Sequence, residues 1–172
     1  MWQKLVAGTC VMTGAVGFGL ALCAELGSEI AHLKKLKELL LYIIGEITYL
    51  HRPAAEILSM AAQRMGAPYA VFLEQTAQQL EARDGLTLPE IWNANIGLMR
   101  EAEIPKEALR YLERMGTCFG CEGDKMQIEY FSLFERELDE RISVLSAKQS
   151  ENSRLISALS ALTGVLCIVL FL

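Results

Sequence analysis

Histidine is almost missing: His32 and His51 are the two in 172 residues, with no patterned carboxylates or cysteines around them. That scarcity removes the side chain most often used as a general base or metal ligand. Both read as surface or helix-end residues. G-x-S-x-G, H-E-x-x-H and a phosphate-binding glycine loop with its lysine are missing too, so no enzyme and no cofactor are expected. A basic excess is also lacking. Lys and Arg number 16 against 21 Asp and Glu, and the net charge of −5 with a pI near 5.1 leaves no basic stripe for nucleic acid. Period-two alternation is absent as well, and no Asn-Gly or Asp-Gly turn joins β-branched runs. An all-α fold is predicted.

Charge is missing from two blocks, Leu5 to Ala24 and Leu155 to Leu172. Twenty and eighteen helical residues reach about 30 and 27 Å, close to the hydrocarbon thickness of a bilayer. A cleavable signal peptide would have a shorter apolar region, and A-L-C-A-E is a mediocre cleavage site. A lipoprotein site at Cys23 would want a small residue where Leu22 stands. Both blocks are therefore expected to be transmembrane helices (5–24 and 155–172), flanking a helical bundle over 26–154. Lys34, Lys35 and Lys37 follow the first block against Lys4 before it, and Lys148 and Arg154 precede the second. Basic residues mark the cytoplasmic side, which places the middle domain in the cytoplasm.

Cys10, Cys23 and Cys167 fall inside the uncharged blocks, where they act as small hydrophobes. Cys118 and Cys121 remain, in M-G-T-C-F-G-C. They are half of a zinc set, and a redox pair of this spacing belongs beside a βαβ pattern that the chain lacks. An incidental, reduced pair in a turn is expected. Thr9, Thr13, Gly17 and Ala21 recur every fourth residue in the first block, as Ser160 and Gly164 do in the second. These ridges either permit close helix contact or reflect the general richness of membrane helices in small residues.

Between the blocks the punctuation divides the chain into helices. Ile30, Leu33, Leu36, Leu40, Ile43, Ile44, Ile47 and Leu50 repeat at three and four, a stripe that stops at H-R-P. Pro53 then starts a second helix in its first turn, with Ile57, Leu58, Ala61 and Met65 on its face. Gly66 and Pro68 separate it from a third, carrying Val71, Phe72, Ala77 and Leu80 to R-D-G at 83–85. In D-G-L-T-L-P-E-I-W, Thr87 and Glu90 have the spacing of a capping box, ahead of Ile91, Trp92 and Ile96. Ile104-Pro105 opens a helix with Leu109, Leu112 and Met115, and a run of glycine and cysteine over 116–123 breaks it. From Met126 to Arg154 there is no proline or glycine, and Ile128, Phe131, Leu138, Ile142 and Leu145 share a face. That helix is expected to run on into the second block, over about 65 Å.

Three stretches carry a resemblance to the stage III sporulation protein AB family. They are E-I-T-Y-L-H-R-P-A-A-E-I-L with Glu46, Pro53 and Glu56; D-G-L-T-L-P-E-I-W with Gly85, Glu90 and Trp92; and M-G-T-C-F-G with Gly116 and Gly120, followed by Gln127. The sequence departs from that pattern after Gly120, where Cys121-Glu122-Gly123-Asp124 stands in place of Ser-Asp. The resemblance implies a cytoplasmic domain similar to the F-type platform protein of type II secretion. It implies a non-enzymatic membrane component of the channel between mother cell and forespore, located in the mother-cell membrane around the forespore. Its implied partners are a secretion-type ATPase of the same complex and other channel membrane subunits. A different reading is a membrane-anchored sensor or adaptor with a ligand site in the bundle. Two roles are open for Glu46: contact with the partner, or an ion pair with Arg52 or another base inside the bundle.

Overall fold

Proline and glycine place most of the breaks. The computed structural model describes residues 2–50, 52–82, 85–119 and 124–171. Side chains at 2–13, 15, 16, 18, 124, 125, 161 and 163–171 lie outside what it describes. Six helices account for nearly all of it, with no strand among the described residues: α1 (Trp2–Gly45), α2 (Ala54–Arg64), α3 (Tyr69–Ala82), α4 (Leu88–Glu101), α5 (Lys106–Cys118) and α6 (Asp124–Phe171). A π-helical turn, Glu46–Leu50, ends α1. Pro53 and Pro105 are the N-caps of α2 and α5, one residue outside the helices they introduce. Pro89 lies inside the first turn of α4, where a missing N–H costs nothing. Residues 5–24 lie within α1 and residues 155–171 within α6. Among the described residues no helix is long and apolar enough to cross a membrane.

The chain divides into two compact units, one of Met1–Ile30 with Ser143–Leu172 and the other of Ala31–Ile142. In the first, the early part of α1 meets the late part of α6. A Cβ on Gly19 would come to 3.0 Å from Ile156 Cγ1, and one on Gly27 to 2.9 Å from the Gln149 amide nitrogen. That amide donates to the Cys23 carbonyl oxygen at 3.3 Å. Gly17, predicted as part of the small-residue ridge, has open space around it, so contact falls to Gly19, two positions on. Ser160 donates to its own helix at the Ile156 carbonyl. The side chains of Thr9, Thr13 and Gly164's neighbours lie outside the described residues.

In the second unit, α2 packs on α3, α3 on α4 and α4 on α5. Leu33, Leu36, Leu40 and Ile43 of α1, Leu58 of α2, Phe72 and Leu73 of α3, Leu112 of α5 and Phe131 and Leu138 of α6 are all fully buried. Ionic links hold α6 in this unit. Arg141 forks onto Glu107 at 2.6 and 2.8 Å, Arg114 forks onto Glu137 at 2.6 and 2.9 Å, and Lys37 reaches Glu135 and Asp139 at 3.1 and 2.6 Å.

Four expectations about the bundle need correction. Leu50 is 54% exposed rather than part of the α1 stripe, because the π turn uses one extra residue per closed ring and delays the helical phase beyond it. Val71 is exposed too; Tyr69, Phe72 and Leu73 supply the buried face of α3 instead. Gly116 does not break a helix, since α5 runs through it to Cys118. His32 is not at a helix end: its Nδ1 shares a 2.9 Å hydrogen bond with the Tyr69 hydroxyl. Burial, and then nearby Lys35, lower its pKa. His51 lies outside the described residues.

Candidate functional site

The end of α1 and the start of α2 make a sharp corner because Pro53 restricts the residue before it and cannot continue a helix. Into this corner the π turn delivers Glu46. In a regular helix Glu46 would follow the apolar stripe only approximately; here it is 8% exposed. Arg52 bridges two carboxylates: its Nε lies 3.5 Å from Glu46 Oε2, and its Nη1 donates to Glu56 Oε1 at 2.9 Å. The same Nη1 lies 2.7 Å from Met60 Sδ. The two acids differ in setting, because the Glu56 side chain is 51% exposed and that of Glu46 10%.

Beneath Glu46, Tyr42 carries the guanidinium of Arg64 over its ring at 4.7 Å. Burial first, then the adjacent Glu46 carboxylate, raise the Tyr42 hydroxyl pKa above its ordinary value. Neither that hydroxyl nor Glu46 Oε2 completes a hydrogen bond of good geometry.

Beside the corner is a cavity of about 220 Å³, lined by Ile47, Arg52, Ala54, Ile57, Leu58, Phe119 and Gln127. Gln127, remote in sequence, thus shares a wall with Arg52. Phe119 connects the cavity to the core, with ring centroids 5.3 Å from Trp92 and 5.2 Å from Phe131. Among the described residues its lining combines apolar side chains with the Arg52 guanidinium and the Gln127 amide. Such a surface can accept an apolar side chain flanked by a polar or charged group; it holds no nucleophile and base, and no group of three metal-ligating side chains occurs among the described residues.

The predicted positions therefore separate. Glu46, Pro53, Glu56 and Gln127 gather at the corner. Gly85, Glu90, Trp92 and Gly116 do not join them and hold the bundle. Gly85 has φ +82°, a conformation favouring glycine. Glu90 accepts from the Thr87 N–H and hydroxyl, both at 2.7 Å, within the capping box. Those two donors pull its pKa below the ordinary 4.5. Trp92 is fully buried, donates to the Leu112 carbonyl at 2.9 Å and lies edge-on to Phe72. Gly116 lies directly against its indole, where a Cβ would collide with the ring. Cys118 Sγ contacts the Arg114 carbonyl at 3.5 Å; Gly120 and Cys121 lie outside the described residues.

Arg52 and Phe119 were not singled out from sequence as site residues. Arg52 stood between two acids at spacings of six and four, which is a signal for a shared ion pair. Phe119 had none. Asn95, buried and donating to Thr76 Oγ1 and Gln79 Oε1 at 3.1 Å each, also escaped sequence reading.

Comparison with known proteins adds three findings. The model of the family "Stage III sporulation protein AB" matches residues 4–172. A solved structure named stage III sporulation protein AB superposes with a TM-score of 0.63 at 16% identity, over 72% of this chain and 98% of that one. No curated protein matches the sequence.

Proposed function

Because the chain belongs to the stage III sporulation protein AB family, we propose that it is a non-enzymatic membrane platform of the channel joining mother cell and forespore. Residues 5–24 and 155–172 are its transmembrane helices, and the region 26–154 lies in the mother-cell cytoplasm, where it receives a secretion-type ATPase. Two features support the membrane reading. Residues 5–24 and 155–171 lie within helices, and Leu20, Leu155, Leu159 and Leu162 each expose more than half of their surface. Exposed leucines at helical spacing on uncharged segments suit hydrocarbon better than water.

The observation that carries the docking reading is the corner itself. Glu56 is exposed and oriented by Arg52, beside a cavity lined by Ile47, Ile57, Leu58 and Phe119 together with Arg52 and Gln127. A charged rim around an apolar recess is the arrangement of a protein interface. Glu46, being buried, supports the corner by holding Arg52, and Glu56 is the acid a partner can touch. In full-length protein extracted in mild detergent, Glu56→Lys is expected to abolish copurification of the ATPase and block sporulation while leaving the melting temperature within a degree or two. Retention of the ATPase by this variant would move the interface elsewhere.

A further inference from the structure

Arg52 serves two acids and satisfies one. Its Nη1 donates to the exposed Glu56 at 2.9 Å, while its Nε stops 3.5 Å from Glu46 Oε2, outside the usual range of about 2.7–3.2 Å for an N–H to oxygen bond. Among the described residues Glu46 is the one buried carboxylate, and its Oε2 has no bond of good geometry. An unpaired buried acceptor is unfavourable, yet the nearby donor able to complete it is held by a surface acid, where an ion pair gains little. The other contact of that donor, Met60 Sδ, is a weak acceptor. Negative charge is also in excess. Glu46 and Glu56 share one guanidinium, and the next base, Arg64, lies over the Tyr42 ring and shares a recess with Glu38.

Resting on the reading of this corner as the ATPase dock, we propose that the partner brings a guanidinium or ammonium group to Glu56 and so releases Arg52 to Glu46. The incoming base replaces Arg52 Nη1 at the exposed carboxylate. Arg52 then closes the remaining gap, about half an ångström to ordinary hydrogen-bond length, and the buried oxygen gains its donor. Two acids sharing one base become two separate pairs, the outer across the interface and the inner within the bundle. An acidic partner group would instead bring a third carboxylate to one arginine and meet repulsion. The cavity of about 220 Å³ takes the rest of the contact. A cavity of roughly 150 Å³ already admits a benzene ring, so an aromatic or large aliphatic side chain fits. The partner's base does not enter there, because Arg52 is itself in the lining. The partner therefore presents an apolar side chain with a base beside it.

The test uses the full-length chain in mild detergent and the purified ATPase of the same complex, with Kd measured at low and high NaCl. Glu56→Gln removes a charge without adding one; it should raise Kd by about tenfold or more and flatten the rise of Kd with salt. Glu46→Gln should also weaken capture by about tenfold, although the side chain at 46 is only 10% exposed, because Arg52 then has a neutral amide to move to and stays on Glu56. Circular dichroism melting should find this variant at least as stable as wild type, since it no longer buries a charge. Glu56→Lys separates the proposal from the reading beneath it. If Glu56→Lys and Glu56→Gln both bind as wild type, the dock lies elsewhere and both fall. If Glu56→Lys abolishes capture while Glu56→Gln leaves Kd and its salt dependence unchanged, the dock stands and the basic partner group is overturned. If Glu46→Gln binds as wild type, or loses melting temperature along with binding, the transfer of Arg52 is overturned.

Discussion

The seat of Trp92 and the corner at Arg52 are joined through Phe119, yet they are built in opposite ways. At the first, an indole is fully buried, its one polar atom has a backbone acceptor, and Gly116 gives it room. Nothing is left unsatisfied. At the second, a buried carboxylate oxygen and a buried hydroxyl lack good hydrogen bonds, the helix departs from α geometry, and an arginine holds two acids. Complete satisfaction is what a scaffold needs, whereas incomplete satisfaction and local irregularity concentrate where a surface has another task.

The widest separation between the two regions should come from Gly116→Ala. The new methyl collides with the indole, and the cost is expected to be about 3 kcal/mol, the scale of overpacking in a tight core. Denaturant unfolding of the full chain in detergent, followed by circular dichroism, measures it. Wild-type stability in this variant would mean the Trp92 seat yields easily and the contrast with the corner is false.

A smaller loss, about 1–3 kcal/mol, is expected for Arg52→Met, since it strands the buried Glu46 carboxylate. Glu56→Gln should stay within about 0.5 kcal/mol, because its half of the bridge is exposed and screened. Equal effects for the two would erase the distinction between a supporting acid and an accessible one. The same unfolding experiment reads both.

Smallest is the response to acid. Glu90 and Glu137 have folded-state pKa values held below the ordinary 4.5, by the Thr87 donors and by the Arg114 guanidinium respectively. Their contribution is therefore fully present above that value and is lost as pH falls through the depressed folded values. Stability should be flat from pH 7 to about 5 and decline below the ordinary carboxylate range. Glu90→Gln should remove part of the decline. A decline already under way near neutrality would overturn this assignment to Glu90 and Glu137.

Much of the bundle could be read from local chemistry. Pro53, Pro68, Pro89 and Pro105 mark helix starts because their constraints act on one or two residues, and the Thr87 and Glu90 pair is a contact within one turn. The π turn was not readable, since nothing in E-I-T-Y-L departs from helical preference and the extra residue arises from packing at the corner. Asn95 and Thr76 look like surface residues in the sequence, and only their placement nineteen positions apart on touching helices makes them a buried pair. At the site, Glu46 and Glu56 came from the family pattern. Their unequal exposure and the convergence of Gln127 with Arg52 are tertiary facts that no spacing rule contains.

The two arginine forks between α5 and α6 carry opposite charge order. Along α5 the sequence is acid then base, Glu107 then Arg114, and along the antiparallel α6 the residues that receive them run base then acid, Arg141 then Glu137. If α5 slid about one turn along its neighbour, Glu107 would come to the level of Glu137 and Arg114 would leave its partner behind. Apolar packing tolerates such sliding far better than this arrangement does, because leucines and phenylalanines are interchangeable along a stripe. The pair of forks works as a two-notch key: it adds little to how strongly the helices adhere and fixes the single axial position at which they may do so.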